Sequence, residues 1–219
     1  MRPAALISLS GYEVKPTNDG DLVLLRTDRG EIGCLLMSAT GADTAVLWAG
    51  SLSTEDRLSP IARSVAKDLR EDGVSSLAVR YRRPFELEDS VQDTLAALLF
   101  FRQVGVQRVA LVGHSFSGAV VITAAPLSEA VVAVAALASQ TYGARNVANI
   151  APRPLLLVHG TADQRLDPYC SEQIYSWAKK PKELVLIEGA THGLSEHPEF
   201  LLPLLRHWLT EKLRPPADQ

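Results

Sequence analysis

An apolar run, Val109-Ala110-Leu111-Val112, passes without a break into Gly113-His114-Ser115-Phe116-Ser117-Gly118 and then into small and apolar residues as far as Ala125. A short buried strand, a tight glycine-flanked turn and a helix match this pattern. A strand that runs straight into a helix belongs to a crossover connection, and such connections build parallel sheets. The same turn lifts the Ser115 hydroxyl clear of the backbone, where a base and a substrate can reach it.

The remainder of the chain repeats the alternation. Asp21 to Thr27 and Glu31 to Ala39 flank Asp28-Arg29-Gly30 and predict a hairpin. Ala45 to Ala49 predicts a strand ending at Gly50. Thr54 to Arg70 predicts a helix with Leu58, Ile61, Val65, Ala66 and Leu69 at helical spacing, and Ser76 to Val79 the next strand. Glu88 to Val104 predicts a helix, Gln107 to Val112 the strand into the serine turn, and Ser117 to Ala125 the helix after it. Ala130 to Ala138 is read as a strand, although alanine favours helix. Leu155 to Val158 and Leu184 to Ile187 are the last strands, with a helix over Tyr169 to Trp177 between them and another over Pro198 to Lys212 behind.

The expected fold class is therefore α/β, a mostly parallel central sheet with helices on both faces. A chain of 219 residues makes one such domain over 1–219, with its core at about 22–213. Ligands of these sheets bind at the carboxyl ends of the strands. Gly50, Ser115, Asp163 and His192 all fall there.

Bulk properties narrow the partners. The net charge is −3 with no extended basic run, which speaks against nucleic acid. The most apolar region, Ala124 to Ala138, is interrupted by Pro126, Ser128 and Glu129, so no membrane span is expected. Met1 to Leu9 is slightly signal-like but lacks a clear cleavage site; it is read as mature protein, with the cytoplasm as the default location. Cys34 and Cys170 do not suggest a disulfide framework, and the five histidines are scattered. No metal is expected, and with no motif for NAD or flavin, no cofactor either. A monomer and a homodimer both remain open.

The chemistry these residues suggest is acyl transfer. Ser115 is the candidate nucleophile, His192 the base that takes its proton, and Asp163 the acid that holds the imidazole in the useful tautomer. The backbone N–H of Phe116, at a helix start, and that of Ser51, in the turn after Gly50, are the candidate oxyanion donors. Asp167 and Glu188 are rival acids, and His197 is a rival base. His159 is read as ordering the Asp163 loop, and His114 as a pocket-side or buried residue. Trp48, Tyr81, Phe116 and Tyr142 line an acyl pocket or belong to the core. Arg80, Arg82 and Arg83 either meet an anionic substrate group or pair with Glu86, Glu88 or Asp89.

The segments Ala49-Gly50-Ser51, Gly113 to Gly118, His159-Gly160-Thr161-Ala162-Asp163 and Gly189-Ala190-Thr191-His192 resemble the α/β-hydrolases over about Leu22 to Leu213, in particular small dienelactone-hydrolase-like members. The resemblance implies a triad of Ser115, Asp163 and His192 and an oxyanion hole from Phe116 and Ser51. It also implies a small ester or thioester substrate handled through an acyl-enzyme. A peptidase or lactonase with the same triad, and a non-catalytic binding protein on the same fold, are the alternatives. Two departures stand out. Ser117 occupies the last glycine of the Gly-x-Ser-x-Gly elbow, which predicts a looser or strained turn. Ala49-Gly50 replaces the family's His-Gly. Only Ser139 to Pro154 is free for an insertion, so no large lid and an open site are expected.

Overall fold

The computed structural model describes residues 6–215. Of the signal-like start, Met1 to Ala5 lie outside the described residues. The chain begins with three antiparallel strands, β1 (Leu9–Thr17), β2 (Gly20–Thr27) and β3 (Gly30–Met37). The alternating part follows: β4 (Thr44–Ala49), α1 (Pro60–Glu71), β5 (Ser75–Val79), α2 (Leu87–Gln103), β6 (Arg108–His114) and α3 (Phe116–Ala124). It ends with β7 (Val131–Leu137), β8 (Leu155–Gly160), α4 (Tyr169–Trp177), β9 (Lys182–Ile187) and α5 (Pro198–Leu213).

The nine strands form one sheet in the order β1-β2-β3-β5-β4-β6-β7-β8-β9. Strands β4 to β9 pair in parallel, and β3 joins β5 antiparallel. The sheet is thus mixed but mostly parallel, with helices on both faces. The connection from β7 to β8 holds a 3-10 turn at Val147–Ile150 and no large lid.

Alternation along the central strands divides the core in two. Ala45, Leu47, Val109 and Leu111 face one layer, which also contains Phe100 and Phe101 of α2, Val120 and Ile122 of α3, and Ile174 of α4. Val46, Trp48, Ala110 and Val112 face the other, which contains Val65 and Leu69 of α1 and Leu205 and Trp208 of α5. A change from one side of the sheet to the other occurs where β4 lies between β5 and β6: the chain leaves β4 toward one neighbour and returns on the other side. That switch point leaves a crevice at the strands' carboxyl ends. Ala49 is in register with Gly113, so the turn after β4 and the turn after β6 stand side by side.

Two elements depart from expectation. Helix α1 starts at Pro60, not near Thr54, because Ser59 caps it by accepting from the Ala62 N–H at 3.4 Å and Pro60 takes the first helical position. Residues 51–58 instead form a loop tied by a bridge between Leu52 and Leu58. Strand β1 has no counterpart in the pattern reading. It is an edge strand paired only with β2 and mostly exposed, and it contains Pro16 near its end.

Candidate active site

Ser115 sits between the last residue of β6 and the first of α3, with φ 56° and ψ −118°. A side chain rarely adopts this conformation, which costs of order 1–3 kcal/mol and persists only where surrounding structure enforces it. Here the Ser115 N–H donates to the Leu137 carbonyl at 2.8 Å, and the Ser115 carbonyl accepts from the Gly118 N–H at 3.0 Å. Gly113 is needed because a Cβ there would overlap the Ser117 carbonyl, and Gly118 because one would overlap the Ser139 side chain. Ser117 is an ordinary helical residue, so the positive φ falls on Ser115 alone in this turn. Its hydroxyl lies against Gly50 and the Tyr81 ring, in space that a Cβ on Gly50 would fill.

Phe116 opens α3, so its N–H is among the helix's orphan donors at the positive end of the dipole. Ser51 follows Gly50, whose φ of 63° suits glycine. The loop is pinned on both sides: the Ser51 carbonyl accepts from the Ser59 N–H at 2.9 Å, and the Leu52 N–H donates to the Val79 carbonyl at 3.4 Å.

Asp163 follows β8 and is buried. Its Oδ1 accepts from the N–H groups of Arg165 at 2.8 Å and Leu166 at 3.0 Å. Its Oδ2 lies 2.7 Å from His192 Nδ1 and 3.1 Å from His159 Nε2. Burial alone would raise its pKa; the N–H bonds from Leu166 and Arg165 and the partnership with His192 outweigh burial and hold it below the usual carboxylate range. His192, past the end of β9, is largely buried with 15% of its side chain exposed. Its backbone carbonyl accepts from His114 Nε2 at 2.7 Å, and the two rings lie 4.8 Å apart. Burial is the main cause that lowers the His114 pKa, and because a carbonyl only accepts, Nε2 carries the hydrogen and donates. His114 precedes Ser115, so this bond holds the His192 loop at the strand end that carries the serine.

The rival residues lie elsewhere. Asp167 accepts from the Tyr169 N–H at 2.8 Å just ahead of α4, Glu188 is exposed, and His197 pairs with Glu199 at 3.3 Å. A connected serine–histidine–aspartate line is present at Ser171–His159–Asp163, with Ser171 Oγ 2.7 Å from His159 Nδ1. Ser171 and His159 are both 0% exposed. The expectation that His159 orders the Asp163 loop had a signal, its place at the end of a strand four residues before Asp163. Ser171 had none: it is one of two serines in α4.

A cavity of about 720 Å³ opens beside these residues, walled by Trp48, Leu52, Leu58, Ile61, Val112 and Leu137. Gly50, Ser51, His114, Ser117 and Gly193 also border it, so it touches the neighbours of Ser115 and His192. Of the pocket candidates, Trp48 lines this cavity. Arg80 is spent on Asp56 at 2.8 Å and on the Ser53 and Thr54 carbonyls, which hold the β4–α1 loop. Tyr81 is buried edge-on to Phe116, with ring centroids 6.2 Å apart. Tyr142 is 72% exposed. Arg82 pairs with Asp93 of α2 and Arg83 with Asp89, not with Glu86 or Glu88. Among the described residues no group of three or more histidine, cysteine or acidic side chains could hold a metal ion, and no helix is long and apolar enough to cross a membrane.

Solved structures share this architecture. The dienelactone hydrolase of Anabaena variabilis superposes with a TM-score of 0.77 at 21% identity, over 93% of this chain and 99% of that one. An α/β serine hydrolase without a lid from Xanthomonas campestris gives 0.76 at 20% identity, over 94% and 100%. This chain has the α/β-hydrolase fold. Est1E of Butyrivibrio proteoclasticus gives 0.72 at 16%, over 93% and 99%. No protein-family model matches the chain. The uncharacterized protein YfhR of Escherichia coli K12 is 32% identical over 129 residues, which cover 48% of this chain and 45% of YfhR. The match therefore spans about half the length of this curated relative.

Proposed function

We propose that the chain is a serine hydrolase that cleaves carboxylic esters or thioesters of small acyl groups through an acyl-enzyme. Ser115 Oγ attacks the carbonyl carbon while His192 Nε2 takes its proton. Asp163 keeps the Nδ1 proton of His192 in place and stabilises the imidazolium. The oxyanion accepts from the N–H groups of Phe116 and Ser51, a pair whose loss costs about 3 kcal/mol per donor in such sites. The imidazolium then protonates the departing alcohol or thiol. Water, activated by the same imidazole, hydrolyses the acyl-enzyme and frees Ser115.

The observation that carries this reading is the 2.7 Å bond between Asp163 and His192, at the sheet end where Ser115 is held at positive φ. The neighbours' printed descriptions, a dienelactone hydrolase and an α/β serine hydrolase, support the same class. Ser171 is a poor nucleophile by comparison, since full burial keeps a substrate from it. The expected substrate is a small molecule, and the site is read as belonging to one domain.

A fluorophosphonate probe tests the assignment. Labelling is expected in the parent chain and in Ser171→Ala, and none in Ser115→Ala. Labelling lost only in Ser171→Ala would move the nucleophile. A folded parent chain that never labels and turns over no p-nitrophenyl ester or thioester would favour a binding protein.

A further inference from the structure

Asp163 Oδ2 is shared between two imidazoles, and only one of them belongs to the proposed reaction. His159 Nε2 also lies 3.0 Å from the Leu166 carbonyl. A carbonyl only accepts, so Nε2 carries a hydrogen and donates toward both Leu166 and Asp163. In the neutral ring Nδ1 then accepts, and its partner at 2.7 Å is the Ser171 hydroxyl. The result is a buried line of donors, Ser171 to His159 to Asp163, that ends on the oxygen His192 uses. Counting the two backbone N–H groups on Oδ1, the carboxylate accepts four hydrogen bonds.

We propose that His159 is a positioning residue that restrains the proton affinity of His192 by taking part of the Asp163 Oδ2 charge, and that Ser171 strengthens it in this role. The inference rests on the reading of His192 as the base. Each added donor disperses the carboxylate's charge and weakens its hold on a neighbouring imidazolium. The Ser171 hydroxyl polarises the His159 ring and makes Nε2–H a better donor. Removing His159 does not release the carboxylate, because Oδ1 stays pinned by Arg165 and Leu166. It leaves all of Oδ2 to His192. The other titratable groups facing this pair are His114, with its ring 4.8 Å from His192, Cys170, which feels the charge of Asp163, and Glu196, bonded to Thr191 next to His192.

The test compares His159→Leu, His159→Gln and Ser171→Ala with the parent chain. The readouts are the acid limb of kcat/KM against pH and the NMR titration of the His192 ring. In His159→Leu both midpoints are expected to move up by about half a pH unit, about a threefold change in the protonation equilibrium. Gln places an amide N–H near the lost Nε2–H and should restore the parent midpoint. Ser171→Ala should shift in the same direction by less, and it keeps the test open if the leucine variant fails to fold. Midpoints that stay put or fall in the leucine and alanine variants would overturn the proposal, as would a glutamine variant that moves as far as leucine. A simple structural defect lowers activity at every pH and leaves the midpoints in place. The ring titration needs no turnover, so a chain that never labels with fluorophosphonate would sink the hydrolase reading while this inference is still measured.

Discussion

At the residue scale, Asp163 is where folding and chemistry meet. Its carboxylate is useful only as an anion, and its depressed pKa keeps it so. The sign of its stability effect follows. A folded-state pKa below the unfolded value of about 3.9 makes the group stabilising above that pH, and the contribution is lost as pH falls through the lower folded value. Asp163→Asn keeps the shape and removes the charge. We expect esterase kcat to fall by about 10⁴-fold, as when an orienting carboxylate is lost and the base takes the wrong tautomer. Acid unfolding below about pH 4 should also become less steep. Stopped assays with a p-nitrophenyl ester and circular dichroism against pH check the two halves. A variant that retains a tenth of the activity would mean that Asp163 does not orient the base.

At the element scale, strand ends and helix starts explain what could be read from the chain alone. The serine turn was legible because an apolar run, two flanking glycines and a stretch of small residues enclose a serine there. Helices α2, α3, α4 and α5 lie close to where periodicity places them. The start of α1 was misplaced because apolar residues at helical spacing begin in the loop, and capping by Ser59 decides the boundary. Strand β1 was missed because an exposed edge strand needs little hydrophobic signal. The arginines after β5 were ambiguous for another reason: charge alone does not reveal whether a partner is solute or protein. Arg82 answers with Asp93, whose side chain is fully buried in α2 and accepts from Arg82 Nε at 2.6 Å and from the Arg82 backbone N–H at 2.8 Å. Removing one member of a buried pair strands the other. Asp93→Ala should therefore lower stability by about 3–5 kcal/mol. Urea unfolding monitored by Trp fluorescence measures it, and a loss under 1 kcal/mol would show that water reaches Arg82.

At the scale of the whole molecule, the architecture is an α/β sheet, and the groups proposed to react come from four strand ends. Each residue was suggested by its own short segment, but Ser51, Ser115, Asp163 and His192 come from separate strand ends that only the folded sheet sets along one edge. Their order along the chain, each just past an apolar run, was the readable clue; the Ser171–His159 bond behind Asp163 was not. The short β7–β8 connection carries no large lid, and the proposed site is read as open. Rate should therefore follow substrate concentration smoothly through the micellar threshold, and acetate and butyrate esters should be turned over better than palmitate esters. A sharp rise in rate at the micellar threshold, or a strong preference for long chains, would contradict an open site.

The contact between Ser117 and Gly50 has a further consequence. One residue belongs to the turn that carries Phe116, the other to the turn that carries Ser51, and they meet where Gly50 lacks a methyl group. Ser117 thus packs between the two loops, and in the proposed reaction it would help to space the two N–H groups that receive the oxyanion. The serine at the last position of the Gly-x-Ser-x-Gly pattern would then be a spacer for the proposed anion cradle rather than a flaw in the turn.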